Sequence, residues 1–320
     1  MTGIGAIFRK ELSDHFSSYR FTIIFALIAM ASLITTYMAG IGLKEELAGV
    51  AKPNFVFLML FTSTGSVFSL VQFVAFFGPL IGLLLGFDSI NRERSSGTLS
   101  TLVSQPIYRD SIINGKFLAG MATIAIMLLA IVLVVTGLGL KLIGVVPGPE
   151  EILRIILYLV ISIIYISFWL GVSILFSILF RGVATSALAT LAVWIFFSFF
   201  ISIGASVAAN VMVPLDAQGE QNPELVVKRL TIQRNVSLLS PMKLYNDATA
   251  IVIDPTRKTT RQFVMIGPIE RMSLERFQRP LPLLQSLFIV IPHIISLIAV
   301  TVICFAISYV IFMKQEIRSL

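Results

Sequence analysis

The chain has 320 residues, of which 57% are hydrophobic and 13% charged, with a mean hydropathy of +0.93. Soluble domains carry about 25% charged residues, so too little charge is present to cover a water-facing surface, and the composition points to an integral membrane protein. With one cysteine and two histidines, thiol and metal enzymes are close to excluded, and a net charge of +7 without a soluble domain to carry it does not suit nucleic-acid binding.

The first segment, 1–19, places Ile4, Ile7, Phe8, Leu12, Phe16 and Tyr19 at intervals of three or four residues. Arg9, Lys10, Glu11 and Asp14 lie on the other faces, so an amphipathic N-terminal helix resting on membrane lipids is expected. Six uncharged runs follow: Phe21 to Leu43, Pro53 to Phe87, Phe117 to Leu140, Ile155 to Phe180, Gly182 to Leu215 and Pro280 to Met313. Each exceeds the roughly 20 residues that cross about 30 Å of hydrocarbon as a helix, which predicts an all-α protein with six transmembrane helices. The longer runs place helices near 66–87, 185–207 and 284–312. The first run is too long for the about 7 to 15 residues of a signal-peptide core and reads as an uncleaved span. Arg181-Gly182 forms a tight hairpin between the fourth and fifth spans. Residues 20–207 thus carry the first five spans, 208–283 an extended extracellular cap segment, and 284–320 the last span and a tail. In the cap, Ile251-Val252-Ile253 and Phe263 to Ile266 suit strands or short helices, and Asn235-Val236-Ser237 is a formal glycosylation acceptor.

Basic residues near the helix ends orient the chain. With both termini cytoplasmic, Arg9, Lys10, Arg20, Arg92, Arg94, Arg109, Lys116, Arg181, Lys314 and Arg318 lie inside, against Lys44, Lys52, Lys141 and Arg154 in the short outer loops. That asymmetry follows the positive-inside rule.

Between the second and third spans lies the charged stretch 88–116. Gly97-Thr98-Leu99 opens a short helix with a ridge of Leu99, Leu102 and Val103, which Pro106 ends. It reads either as a docking surface or as a solvated connector. Gly115-Lys116 is not a phosphate-binding loop, because Asp110 stands where the first glycine belongs and Phe117 follows. No zinc-protease or nucleophile-elbow motif occurs, so neither catalytic residues nor a bound cofactor or metal are expected on this chain. Within the spans, Gly78, Gly82 and Gly86 form a small-residue stripe on the second and Ser198, Ser202 and Ser206 a polar stripe on the fifth. Such stripes let helix backbones approach closely, and packing within one subunit accounts for them. His293, after Pro292, is a functional candidate or a helix-packing hydrogen bond.

The order Asp88, Glu93, Arg94, Gly97, Thr98, Leu99, Ser104, Pro106, Arg109, Gly115, Lys116 resembles the cytoplasmic loop of the permease subunits of type-2 ABC exporters. Ser240-Pro241 with Tyr245-Asn246 is similar to the copper-maturation and sodium or drug efflux branch. The resemblance implies a plasma-membrane permease that pairs with a second copy or a paralogue and docks two cytoplasmic ATPase subunits, with ATP and magnesium on those partners. It assigns ATPase coupling to Asp88, Glu93, Arg94, Gly97, Thr98, Leu99, Pro106, Arg109, Gly115 and Lys116. It also implies that the N-terminal helix, with Phe8, Arg9, Lys10, Glu11, Leu12 and Phe16, contacts the ATPase, and that the second and fifth spans, with Gly78, Gly82, Gly86, Ser198, Ser202 and Ser206, line a pore or dimer seam. An extracellular partner at the cap is a further expectation. The alternative is a membrane anchor for an ATPase that moves nothing itself.

Overall fold

The computed structural model describes residues 3–46, 55–62, 69–98, 108–214, 222–256 and 280–315, and all of the regular structure among them is helical. In chain order the helices are α1 Gly3–Phe16, α2 Tyr19–Glu46, α3 Val56–Thr62, α4 Leu70–Gly86, α5 Asn91–Ser95, α6 Arg109–Ile143 and α7 Pro149–Leu179. Then follow α8 Val183–Ile195, a π-helical turn Phe196–Phe200, α9 Ile201–Met212, α10 Pro223–Ser237, α11 Pro241–Ile253 and α12 Leu283–Lys314. Six spans are long and apolar enough to cross a membrane: α2, α4 with α5, α6, α7, α8 with α9, and α12.

Local chemistry sets several ends. Ser69 Oγ accepts from Gln72 N (3.2 Å) while Gln72 Oε1 accepts from Ser69 N (3.0 Å), so α4 starts with two otherwise orphaned amides satisfied. Pro149 opens α7 at a position where its missing N–H costs nothing. Gly144, at φ +67°, closes α6 in a left-handed conformation that suits glycine. The third span starts earlier than the uncharged run because Arg109 and Asp110 are accommodated in its first turn.

α7 is the central post, packed against α3, α4, α6, α8, α11 and α12, with 72% of its most apolar stretch buried. The corresponding figures for α8–α9 and α12 are 11% and 17%, so these helices form the periphery of the chain and present apolar faces outward. α4 meets α7 through its glycines. A Cβ on Gly82 would stand 2.7 Å from Ile166 O and 2.8 Å from Leu170 N, and one on Gly86 2.7 Å from Ser173 Cβ. Gly78 faces Ile166 in the same way. Of the two readings of Gly78, Gly82 and Gly86, the described contacts are those of helix packing inside one chain, where Tyr165 Oη and Ser173 Oγ also donate to Ala75 O and Leu83 O, both at 2.8 Å. Gly82→Ala is expected to force backbone from backbone and lower the thermal midpoint of the purified protein, at a cost of about 1–3 kcal/mol. Gly137→Ala, with nothing within 4 Å of its Cβ, is the neutral control.

The segment expected outside the bundle folds back into it. α10 runs antiparallel to α9, with Arg229 bonded to Asn210 and Gln233 Nε2 donating to Ser206 Oγ (3.1 Å), and at the turn Ser240 Oγ donates to Phe197 O (2.8 Å). Phe197 lies midway along the fifth span, so the α10–α11 hairpin descends to half the depth of the bundle. Its physical reason is visible on α11, where Leu244, Tyr245, Ala248, Ile251, Val252 and Ile253 are buried against α7, α12 and α4. Tyr245 stacks on Tyr165 at 4.4 Å, and its hydroxyl meets Ser162 Oγ at 2.9 Å. Ile251-Val252-Ile253 is thus the end of a helix, Asn235 lies in α10 near the turn, and Phe263 to Ile266 lie outside the described residues.

A buried arginine closes this end. Arg154, on the second turn of α7 and fully buried, pairs with Glu150 at 2.8 Å and donates to Val252 O (2.9 Å), Leu281 O (2.6 Å) and Ser286 Oγ (3.2 Å). One guanidinium therefore joins α7, the end of α11 and the start of α12. Glu151 adds α3, accepting from Phe57 N at 3.0 Å.

Candidate functional site: a charged junction at the end that carries α1

At the opposite end, α1 lies across the start of α6. Gly115 permits the approach, since a Cβ there would come within 2.8 Å of Ile7 Cγ2. Glu11 follows Ile7 by one helical turn and so projects over Lys116, the next residue on α6. Lys116, with its side chain 4% exposed, donates to Glu11 Oε1 at 2.8 Å and to Glu93 Oε1 at 2.9 Å. Lys10 reaches the same two oxygens from the surface, at 3.1 and 3.4 Å. Two ammoniums and two carboxylates thus bind α1, α5 and α6 into one unit. Burial alone would raise the Glu11 carboxyl, but Lys116 and Lys10 outweigh it and hold the group below its ordinary value. The Glu11 contribution is therefore complete at neutral pH and is lost only as pH falls through that depressed value. Burial keeps the His15 imidazole below its ordinary range, partly offset by Glu11.

The loop from α4 through α5 is held on every side. Asp88 pairs with Arg20 of α2 at 3.1 Å and with Arg92 at 3.7 Å. Ser177 Oγ, near the end of α7, accepts from Ile90 N (2.9 Å) and Asn91 N (3.1 Å), and Asn91 Nδ2 donates to Gly182 O (3.4 Å) in the turn before α8. Arg94 bonds Gln315 at the end of α12, Arg109 donates to Gln315 O (3.2 Å), and Gln315 Nε2 donates to Ile178 O (3.3 Å). All six spans therefore converge on residues 88–96. Beyond them Gly97, at φ +72°, turns the chain, and Ser95, Ser96, Gly97 and Thr98 are exposed. A groove of about 940 Å³ runs beside this tip, lined among others by Lys10, Asp14, Arg20, Arg92 and Glu93.

The sequence-predicted residues are thus divided by the structure. Asp88, Glu93, Arg94, Arg109, Gly115, Lys116 and Glu11 come together as the internal frame of the junction, while Gly97 and Thr98 stand outward. Helix α5 ends at Ser95, so Glu93 and Arg94 precede the glycine turn and face inward. Leu99, Leu102, Val103, Ser104 and Pro106 lie outside the described residues. On α1, Phe8 and Leu12 are half-buried, and Arg9, Lys10 and Phe16 are exposed. The serines of the fifth span have separate surroundings: Ser198 sits in the π-helical turn, Ser202 is exposed, and Ser206 is bonded to α10. Sequence reading missed Gln315 and Ser177, which are ordinary polar residues at helix ends, and Arg154, which carried a detectable signal in its one-turn spacing from Glu150. Among the described residues no group of three or more metal-ligating side chains is assembled.

A family model described as "ABC-2 family transporter protein" matches residues 5–317. The chain is also similar to "Probable ABC transporter permease protein NosY" of Stutzerimonas stutzeri, 33% identical over 117 residues, which are 37% of this chain and 38% of that protein. The protein of the same name from Pseudomonas aeruginosa is 30% identical over 118 residues, with the same coverage. The aligned part thus spans less than half the length of these relatives.

Proposed function

From the premise that the chain belongs to the ABC-2 family of transporter proteins, and is therefore a transmembrane subunit of an ABC transporter in the plasma membrane, we propose that it couples a separate cytoplasmic ATPase to outward movement of a substrate. The end carrying α1, Arg20, Arg92, Arg94, Arg109 and Arg181 faces the cytoplasm on this reading, in keeping with the positive-inside rule. Nucleotide and magnesium reside on the ATPase, two of which serve a pair of permeases. The second permease, a copy or a paralogue, covers the outward apolar faces of the peripheral spans. Ser198, Ser202 and Ser206 belong to that seam or to the path beside it.

The observation that carries the proposal is the convergence of all six spans on residues 88–96, where a buried Glu11–Lys116–Glu93 cluster ties α1 and α6 to α5. An exposed tip at Ser95 to Thr98, beside a charged groove, gives a partner access to that cluster. Load applied at the tip is delivered to α4, which is fastened to α7 along its glycine stripe and so moves with the post. Purification from the native membrane in mild detergent is expected to bring down an ATPase whose hydrolysis depends on this chain. Recovery of the chain with no ATP-hydrolysing partner contradicts the reading.

A further inference from the structure

The groove beside the junction is bounded by α1, the start of α2 and the turn from α4 into α5. It lies at the level of lipid headgroups, because Arg20 and Asp88 in its lining are the first charges beyond the uncharged runs of the first two spans. Tyr19, also in the lining, is 86% exposed at a depth that amphipathic rings favour. One side of the groove is apolar, formed by Ile7, Phe21, Leu84 and Leu85. On the polar side, Lys10, Arg20, Arg92 and Lys116 meet Glu11, Asp14, Asp88 and Glu93, so the lining as a whole is neutral at neutral pH.

The two signs are not evenly placed. Arg20 and Arg92 share one carboxylate, Asp88, at 3.1 and 3.7 Å, and their side chains are 59% and 71% exposed. A guanidinium carries five N–H donors, so this end of the groove has donors left for an acceptor. At the α1 end, among the residues that line the groove, two ammoniums, Lys10 and Lys116, serve three carboxylates, Glu11, Asp14 and Glu93. Asp14 is 62% exposed and is reached by Lys10 at 3.6 Å. Glu93 Oε2 and Ser89 Oγ, four residues apart in the lining, are both buried with no hydrogen-bond partner among the described residues. Buried polar atoms are almost always satisfied, and a carboxylate oxygen is satisfied only by a donor. We propose that the groove seats the headgroup of a zwitterionic phospholipid with a primary ammonium, of the phosphatidylethanolamine class. Its phosphate lies on Arg20 and Arg92, its ammonium toward Asp14 and Glu93, and its glycerol and upper acyl region along the apolar side. A quaternary ammonium has no N–H to give Glu93, and an anionic headgroup brings no cation to the α1 end. That the seated lipid steadies the junction for ATPase coupling rests on the permease reading; the binding itself does not.

The intact chain, with whatever ATPase accompanies it, is freed of lipid in detergent and titrated with the dioctanoyl forms of phosphatidylethanolamine, phosphatidylcholine and phosphatidylglycerol. Binding is read from the shift in thermal midpoint. The ethanolamine lipid is expected to bind about tenfold more tightly than either of the others, equivalent to ~1.4 kcal/mol. Asp14→Asn, at an exposed position, removes much of the preference over the choline lipid and leaves choline binding unchanged. Arg92→Gln weakens all three lipids, and Arg92→Lys restores them. Competition by free phosphoethanolamine supports the site and assigns recognition to the headgroup alone; no competition supports it and adds the apolar side to what is recognised. Equal shifts with the three lipids overturn the proposal, as does a preference for phosphatidylglycerol or a preference that neither Asp14→Asn nor Arg92→Gln alters. A preference present in the lone chain and absent from the ATPase-bound complex also overturns it and gives the groove to the ATPase. The expected pattern in a preparation without any ATPase leaves the lipid site standing and removes only its role in coupling.

Discussion

Lys116→Met is expected to abolish transport while leaving ATP hydrolysis by the associated ATPase in place. The ammonium is buried and shared by Glu11 at 2.8 Å and Glu93 at 2.9 Å, so its removal leaves two carboxylates facing each other across α1 and α5. Breaking a buried ion pair from one side costs about 3–5 kcal/mol, because the surviving charge stays desolvated. Lys10 reaches the same oxygens but is half exposed, and an exposed pair contributes about 0–1 kcal/mol. Lys10→Met is therefore expected to change little, and it serves as the matched control. The variant Glu11→Gln/Glu93→Gln/Lys116→Met removes the charges together and is expected to recover most of the stability. If coupling does not return with it, the charges carry the signal and not merely the fold. The assay is transport and hydrolysis measured on one proteoliposome preparation, with the thermal midpoint as the stability readout.

Arg154→Met is expected to release the α10–α11 hairpin from the bundle. The fully buried guanidinium holds Val252 O, Leu281 O, Ser286 Oγ and Glu150 at once, and no other described side chain bonds both α11 and the start of α12. Its loss leaves buried carbonyls without donors, at a cost of about 1–3 kcal/mol for each such group. Arg154→Lys is not expected to rescue, since a single ammonium lacks the planar fork that spans partners on three elements. Amide exchange over 241–253 should accelerate in both variants while exchange over α6 stays near wild type. Unchanged exchange in α11 would show that its apolar face alone holds the hairpin.

The spans were legible because each uncharged run exceeds a membrane crossing, and that signal needs no partner. That 88–116 stands apart from the spans was legible for the same local reason: charge and glycine stand out between apolar runs. The roles within it were not, because Lys116 finds Glu11 across 105 positions and Arg94 finds Gln315 across 221, distances over which a single sequence carries no pairing information. No sign was accordingly present in the sequence of the bonds that Glu93 makes to Lys116 and Arg94 to Gln315. The glycine stripe was ambiguous in a different way, since small residues at every fourth position serve any close helix pair, within a chain or between chains. The hairpin stayed hidden because α10 is polar and α11 short, so neither resembles a membrane element until the buried face of α11 is seen against α7. Arg154 was counted only as one outer basic residue, although its spacing from Glu150 on a helix beginning at Pro149 already placed the two on one face.

The central claim is that the junction around residues 88–96 transmits a partner's motion to the far end of the bundle. Amide exchange of the intact complex in nanodiscs, compared with and without ATP trapped in the ATPase, tests it most directly. The account predicts coordinated changes over 88–98 and over 223–253, with the second lost in Lys116→Met while the partner remains bound. A change confined to 88–98 in the wild type, or one over 223–253 that persists in Lys116→Met, would contradict it.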